Sequence, residues 1–170
     1  MLPQKLQDAF NEQINKELYS EYLYLSMASY CYSLDLEGFA NYFLVQVQEE
    51  RFHAMKMFNF VTDRGGRVML KPIAGPPTDF KSIVEVYEQT AKHEAFVTAS
   101  INNLLELSLK ENDHAATSFL KWFIDEQVEE EATVAKILGK LKLIGGEGHG
   151  MLMIDQELAA RTFTPPAAGE

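Results

Sequence analysis

The chain has 170 residues, 46% of them hydrophobic and 24% charged, a composition that supports one globular domain with a single core. A formal net charge of −10 at pH 7 excludes a nucleic-acid binder, which needs a basic face against phosphates. Its apolar runs fall short of the roughly 20 residues that cross a bilayer, and with one cysteine, Cys31, there is neither an internal disulfide nor a Cys-x-x-Cys metal knuckle.

Apolar residues recur at helical spacing in five segments, and strand alternation is almost absent. A first helix is expected from about Pro3, a residue suited to helix starts, to about Leu34. Nothing in Met1-Leu2-Pro3-Gln4-Lys5-Leu6 resembles the apolar stretch of a signal peptide, so a cytoplasmic location is expected. A second helix runs from Leu36 to the stop signal Gly65-Gly66. The segment Arg67–Lys81 follows, rich in proline and glycine. The third helix opens with the capping box Ser82-x-x-Glu85 and continues to about Lys110. Asn112-Asp113 caps a fourth, which ends at Gly145-Gly146. A short fifth helix, Met151 to Arg161, precedes the tail Thr164-Pro165-Pro166. The fold expected is all-α.

The connections arrange these helices. Tight turns after Leu34 and Lys110 make two antiparallel hairpins. Nearly extended, the segment between them reaches roughly 50 Å, whereas a helix of about 28 residues is roughly 42 Å long. It can run the length of a bundle and start the third helix parallel to the second, giving a four-helix bundle with one long crossover. The stretch Leu18–Ala28 is apolar around most of its circumference, more than one core needs, and its surplus face is expected to meet another subunit.

Chemistry gathers at four places, one on each long helix: Glu17, Glu50-x-x-His53, Glu94 and Gln127-x-x-Glu130. Residues three apart share a helix face. The same separation, 33 positions, divides Glu17 from Glu50 and Glu94 from Gln127, with a turn near each midpoint. Each hairpin therefore brings its pair to one level. Any one element is common by chance, and Glu126 to Glu131 alone reads as an exposed acidic run; agreement in level across four helices is the specific signal. Carboxylates with an imidazole suit iron or manganese, and without an ion such buried acids would repel one another. The second hairpin offers Gln127 and Glu130 where the first offers Glu50 and His53. A site with fewer strong donors releases its product more easily, so the metal is expected as substrate and not as a permanent cofactor.

With these residues the chain resembles prokaryotic non-haem ferritins, over essentially its whole length as far as Arg161-Thr162-Phe163. The resemblance implies a ferritin-like four-helix bundle with one long crossover and a short fifth C-terminal helix in residues 1–163, then a tail, 164–170. Position by position it implies Glu17, Glu50 and His53 at a first iron site and Glu50, Glu94 and Glu130 at a second, with Glu50 bridging. Gln127 would join them as hydrogen-bonding support and Tyr24 as the nearby tyrosine, with Trp122 a redox-active or merely packed neighbour. Glu49, Glu126 and Glu129 would form a third iron site, sharing Glu130. The function implied is oxidation of Fe²⁺ by O₂ or H₂O₂ and storage of the ferric product in a homo-oligomeric shell of 24 subunits, without haem.

Two differences from relatives stand out. Vertebrate ferritins carry acidic residues early in the fourth helix, at a three-fold pore, where this chain has Thr117 and Leu120; Phe52 and Met55 replace cavity-facing glutamates. Haem-binding bacterioferritins resemble the fold but carry Glu-x-x-His on both hairpins and a haem-ligating methionine directly after the second-helix glutamate, where Arg51 stands here. A di-iron oxidase or peroxidase of the rubrerythrin kind would add a cysteine-rich domain. A purely structural bundle would show no iron-dependent oxygen uptake. Cys31, His93, His114 and His149 lack a second ligand at suitable spacing and read as structural or surface residues.

Overall fold

The computed structural model describes residues 1–165, and five helices carry them: α1 (Gln4–Ser33), α2 (Glu37–Asp63), α3 (Ile83–Lys110), α4 (His114–Leu143) and α5 (His149–Leu158). No strand occurs among the described residues. Most of the expected tail, 166–170, lies outside them. None of the helices is long and apolar enough to cross a membrane. The fifth helix starts and stops earlier than the sequence suggests: Gly148, at φ 70°, turns the chain into it, and Ala159 to Arg161 leave it as a turn.

All four long helices end alike. At Asp35, Gly65, Asn112 and Gly145 the backbone enters the left-handed region, and the next residue's N–H returns to a carbonyl five positions back, as Leu36 does to Cys31 and Asp113 to Ser108. Asp and Asn tolerate this conformation better than other side chains, so the two hairpin turns are built on one plan. The next helix then starts at once. Ser82 Oγ accepts from Glu85 N at 3.1 Å, as the capping box requires, although Glu85 reaches back to Lys81 N and not to Ser82 N. Asp113 Oδ1 accepts from Ala116 N at 2.9 Å.

The crossover is laced along α1. Gln7 Oε1 takes Arg67 N, Asn11 pairs with both Arg67 O and Met69 N, Asn15 donates to Lys71 O, and Ser26 donates to Pro77 O. Successive turns of α1 thus hold successive loop residues, and α3 begins parallel to α2 as the length argument required. The strap also takes up part of α1's surplus apolar face: Tyr30 packs edge-on against Phe80 with centroids 5.1 Å apart. Tyr22 and Leu25 remain 48% and 46% exposed.

Two apolar clusters fill the bundle, one toward each end. Met27, Phe43, Tyr87 and Leu141 belong to the first, which α5 extends through Ile154 and Leu158. Phe10, Met57, Ile101 and Leu120 belong to the second. Between them lies a layer of buried polar side chains. Helix α5 meets the start of α2 closely enough that a Cβ on Gly38 would lie 1.7 Å from Asp155 O, and Asp155 Oδ1 accepts from Phe39 N at 2.9 Å.

Across the second turn Arg64 grips Asp113 with two parallel bonds, of 3.0 and 2.8 Å, which hold the aspartate carboxyl below its usual range. Replacing Asp113 with alanine removes a cap and this pair, and should cost about 2 kcal/mol in denaturant unfolding. A carboxyl lowered on folding stabilises at pH above its unfolded value, 3.8. The difference between variant and parent should therefore be full near neutrality and shrink, to what the uncharged cap contributes, as the pH falls through the lower folded-state value.

Candidate metal centre

The buried polar layer contains every residue that the spacing argument assigned to the pair. Glu17, Glu50, His53, Glu94, Gln127 and Glu130 are all buried. Among the described residues, one group of three offers metal-ligating atoms within 4.8 Å of one another: Glu17, Glu50 and His53. His53 Nδ1 lies 3.5 Å from Glu50 Oε2. Glu17 Oε2 and Glu50 Oε2 are buried without any hydrogen-bond partner. A buried carboxylate oxygen left bare is expensive, and two of them facing one imidazole nitrogen form a donor set for a cation.

Neighbouring donors occupy the other Glu17 oxygen, both oxygens of Glu94 and one of Glu130. Gln13 Nε2 donates to Glu17 Oε1 at 2.9 Å, and its own oxygen accepts from Ser100, which in turn accepts from Lys16. Tyr24 donates its hydroxyl to Glu94 Oε1, and Gln127 Nε2 reaches Glu94 Oε2 at 3.2 Å and Thr98 Oγ1 at 3.1 Å. Gln46 Nε2 donates to Glu130 Oε2 at 2.9 Å.

Crowding and burial push these acids upward. Glu50 is raised well above the usual range, by burial first and then by the charges of Glu17, Glu94 and Glu130. Burial raises Glu94 to about 7, against the pull of Tyr24 and Gln127. Glu130 rises to about 8 through burial and Glu94, with Arg161 and Gln46 opposing. His53 falls to about 4, mainly by burial, and is neutral with its lone pair available. A cation entering this layer displaces protons and removes the repulsion that holds them there.

The three candidates for an adjoining site are not drawn together in the same way. Glu49 is half-buried and paired with Arg161 at 2.8 Å; burial raises it to about 7. Glu126 is raised by burial and by Glu129, which is itself exposed. Trp122 lies edge-on to His53 with centroids 5.5 Å apart, under Lys56 Nζ at 4.1 Å. Leu120 is fully buried, and Thr117 bonds Ser108 and Asp113 O, so neither position lines an opening in the subunit. His93 is half-buried, with a ring nitrogen 2.7 Å from Ser20 Oγ and the ring beside that of Tyr24. Cys31 is buried, its thiol pushed up to about 12.

Three residues of the layer escaped the sequence reading. Gln13 and Gln46 each stand four positions before a first-hairpin glutamate, so one helical turn separates support from ligand in both helices, and that repeat was available as a signal. Arg161 had none, because it comes from the turn after α5.

Comparison with known proteins agrees with this geometry. Residues 7–144 match the ferritin family, described as a ferritin-like domain. The chain is 42% identical to a bacterial non-haem ferritin of Staphylococcus saprophyticus over 96% of its own length and 98% of the relative's. It is 40% identical, with the same coverage, to one of Staphylococcus aureus. Among solved structures, the open-pore ferritin of the hyperthermophilic archaeon Archaeoglobus fulgidus superposes with a TM-score of 0.93 at 48% identity, over 95% of this chain and 100% of that one. An engineered closed form of the same protein gives 0.95 at 48% identity, over 96% and 100%. With the family model matching residues 7–144 and relatives at 40 to 48% identity over nearly the whole length, the chain belongs to the ferritin family.

Proposed function

We propose that the chain is the ferroxidase subunit of an iron-storing shell. The observation that carries this is the pair of bare, buried oxygens, Glu17 Oε2 and Glu50 Oε2, beside His53. Iron is the substrate. One Fe²⁺ is held by Glu17, Glu50 and His53, a second by Glu50, Glu94 and Glu130, with Glu50 shared. The two ions pass two electrons to O₂, which takes up two protons and leaves as H₂O₂; with H₂O₂ as oxidant, the same two electrons and two protons yield two waters. Tyr24 and Gln127 orient Glu94 through their hydrogen bonds. Because Gln127 spends its amide on Glu94 and Thr98, the second position has few strong donors, which favours release of the ferric product. Alanine in place of both Glu50 and His53 should abolish fast Fe²⁺ oxidation in stopped-flow absorbance while helix content is kept, since removing a crowded acid relieves repulsion. Oxidation at the parent rate in that double variant would defeat the assignment.

The relatives are named as ferritins, two of them as bacterial non-haem ferritins, which supports storage as the purpose of the oxidation. Exposed Tyr22 and Leu25 on α1, with Phe52, Met55 and Phe163 around an apolar hollow beside α2, suit contacts between identical subunits. We assign a closed homo-oligomer, of 24 subunits by the family resemblance. Light scattering at physiological salt should find a particle far above the 19.3 kDa of one chain; a persistent monomer at micromolar concentration would refute it.

Glu49, Glu126 and Glu129 are the proposed third site, a staging post for iron that leaves the pair. Their charges act on one another and on Glu130, which supports a common role. Alanine at all three should spare the first oxidation, slow later turnovers and lower bound metal to two ions per subunit. Unchanged repeat turnovers with three ions still bound would sink the third site.

A further inference from the structure

Glu49 does not wait with a free carboxylate. Arg161, from the turn after α5, reaches across to α2, and its two terminal nitrogens divide between two acceptors. Nη2 donates to Glu49 Oε2 at 2.8 Å and Nη1 to Gln46 Oε1. Gln46 uses its other end on Glu130 Oε2 at 2.9 Å. One guanidinium therefore addresses a carboxylate of the third site directly and the carboxylate shared with the iron pair through a single amide. Its position is secured on both sides. The backbone beneath it is tied to Asn41, whose amide donates to Leu158 O at 3.1 Å and Arg161 O at 2.9 Å, and the guanidinium carbon lies 4.5 Å over the Tyr42 ring.

We infer that Arg161 is a tethered counter-cation that holds Glu49 away from the third site until an arriving metal ion displaces it. The inference rests on the third-site reading above and adds what regulates that site. An arginine does not lose its proton at physiological pH, so its charge persists whatever binds. A charge-assisted hydrogen bond is stronger than a neutral one. An ion that takes Glu49 Oε2 must break the one that Arg161 makes. The side chain is 25% exposed, which gives it a way out toward solvent when displaced and a short way back when the ion leaves. The third site is thereby weaker than its carboxylates alone would make it, as a staging post requires. Arg161 is a positioning residue: it acts on Glu49 and on Glu130 by way of Gln46.

Calorimetric titration of the assembled protein with Zn²⁺, a redox-silent probe, tests this without any turnover. Replacing Arg161 with alanine should tighten the weakest class of sites roughly tenfold. Arg161→Lys, which keeps the charge but loses the fork, should fall between parent and alanine. Adding Glu49→Gln to Arg161→Ala should erase the gain, which a general loosening of α5 would not explain. If the alanine variant loses helix content, the lysine variant decides: tighter binding than the parent supports the role, and equal binding overturns it. A third ion that binds the parent, is lost in Glu49→Gln and is no tighter in Arg161→Ala overturns the Arg161 role while the third site stands. No third ion in either the parent or Arg161→Ala overturns the third site and this role together.

Discussion

Four carboxyl groups cannot share one buried layer without help, and most of this molecule supplies that help. Each of Glu17, Glu94 and Glu130 receives a neutral donor, from Gln13, from Tyr24 and Gln127, and from Gln46 respectively. Glu50, the residue that bridges in the proposed reaction, has an oxygen with no partner and a carboxyl raised well above the usual range by burial and by its acidic neighbours. Neutral donors satisfy oxygens without cancelling charge, so the layer remains short of positive charge. The apolar clusters on either side carry the stability that this arrangement costs.

The fold was legible because its signals are local and redundant. Glycine or an Asn/Asp pair marks the ends of α2, α3 and α4, and Ser82 and Asp113 mark starts, so the limits of the long helices moved by only a residue or two. The crossover followed from chain length alone. Of the site, the common level of the buried acidic side chains could be read since equal spacing about each turn forces equal height. Side-chain direction could not be read. The run Glu126 to Glu131 contains buried and exposed acids in alternation with the helix period, and nothing in the run itself says that Glu129 faces solvent while Glu130 faces the core. Arg161 was invisible for a different reason. It belongs to a turn whose place over α2 depends on how α5 docks, and docking is a tertiary fact.

The two hairpins share a turn plan and a spacing, yet their chemistry differs where it matters. In the first, the residue three beyond the level glutamate is His53, neutral and with its Nδ1 beside Glu50. In the second it is Glu130, which adds a charge and leans on Gln46. Pseudo-symmetry in the backbone thus carries an asymmetric pair of coordination positions, one rich in donors and one poor. In the proposed reaction, which passes metal through and does not keep it, a graded pair is the more useful arrangement.

Helix α2 has no cap of its own: Leu36 at its start offers no side-chain acceptor, and the first-turn backbone N–H of Phe39 is met by Asp155, 116 positions further on. Gly38 makes the approach possible by presenting no side chain to the Asp155 backbone. During synthesis on the ribosome, then, the first turn of α2 is made well before its cap, which comes only with α5. The same docking event carries the Arg161 turn into place. The helices that carry the buried acidic layer are therefore made before the turn that reaches Glu49, and order along the chain becomes order of assembly.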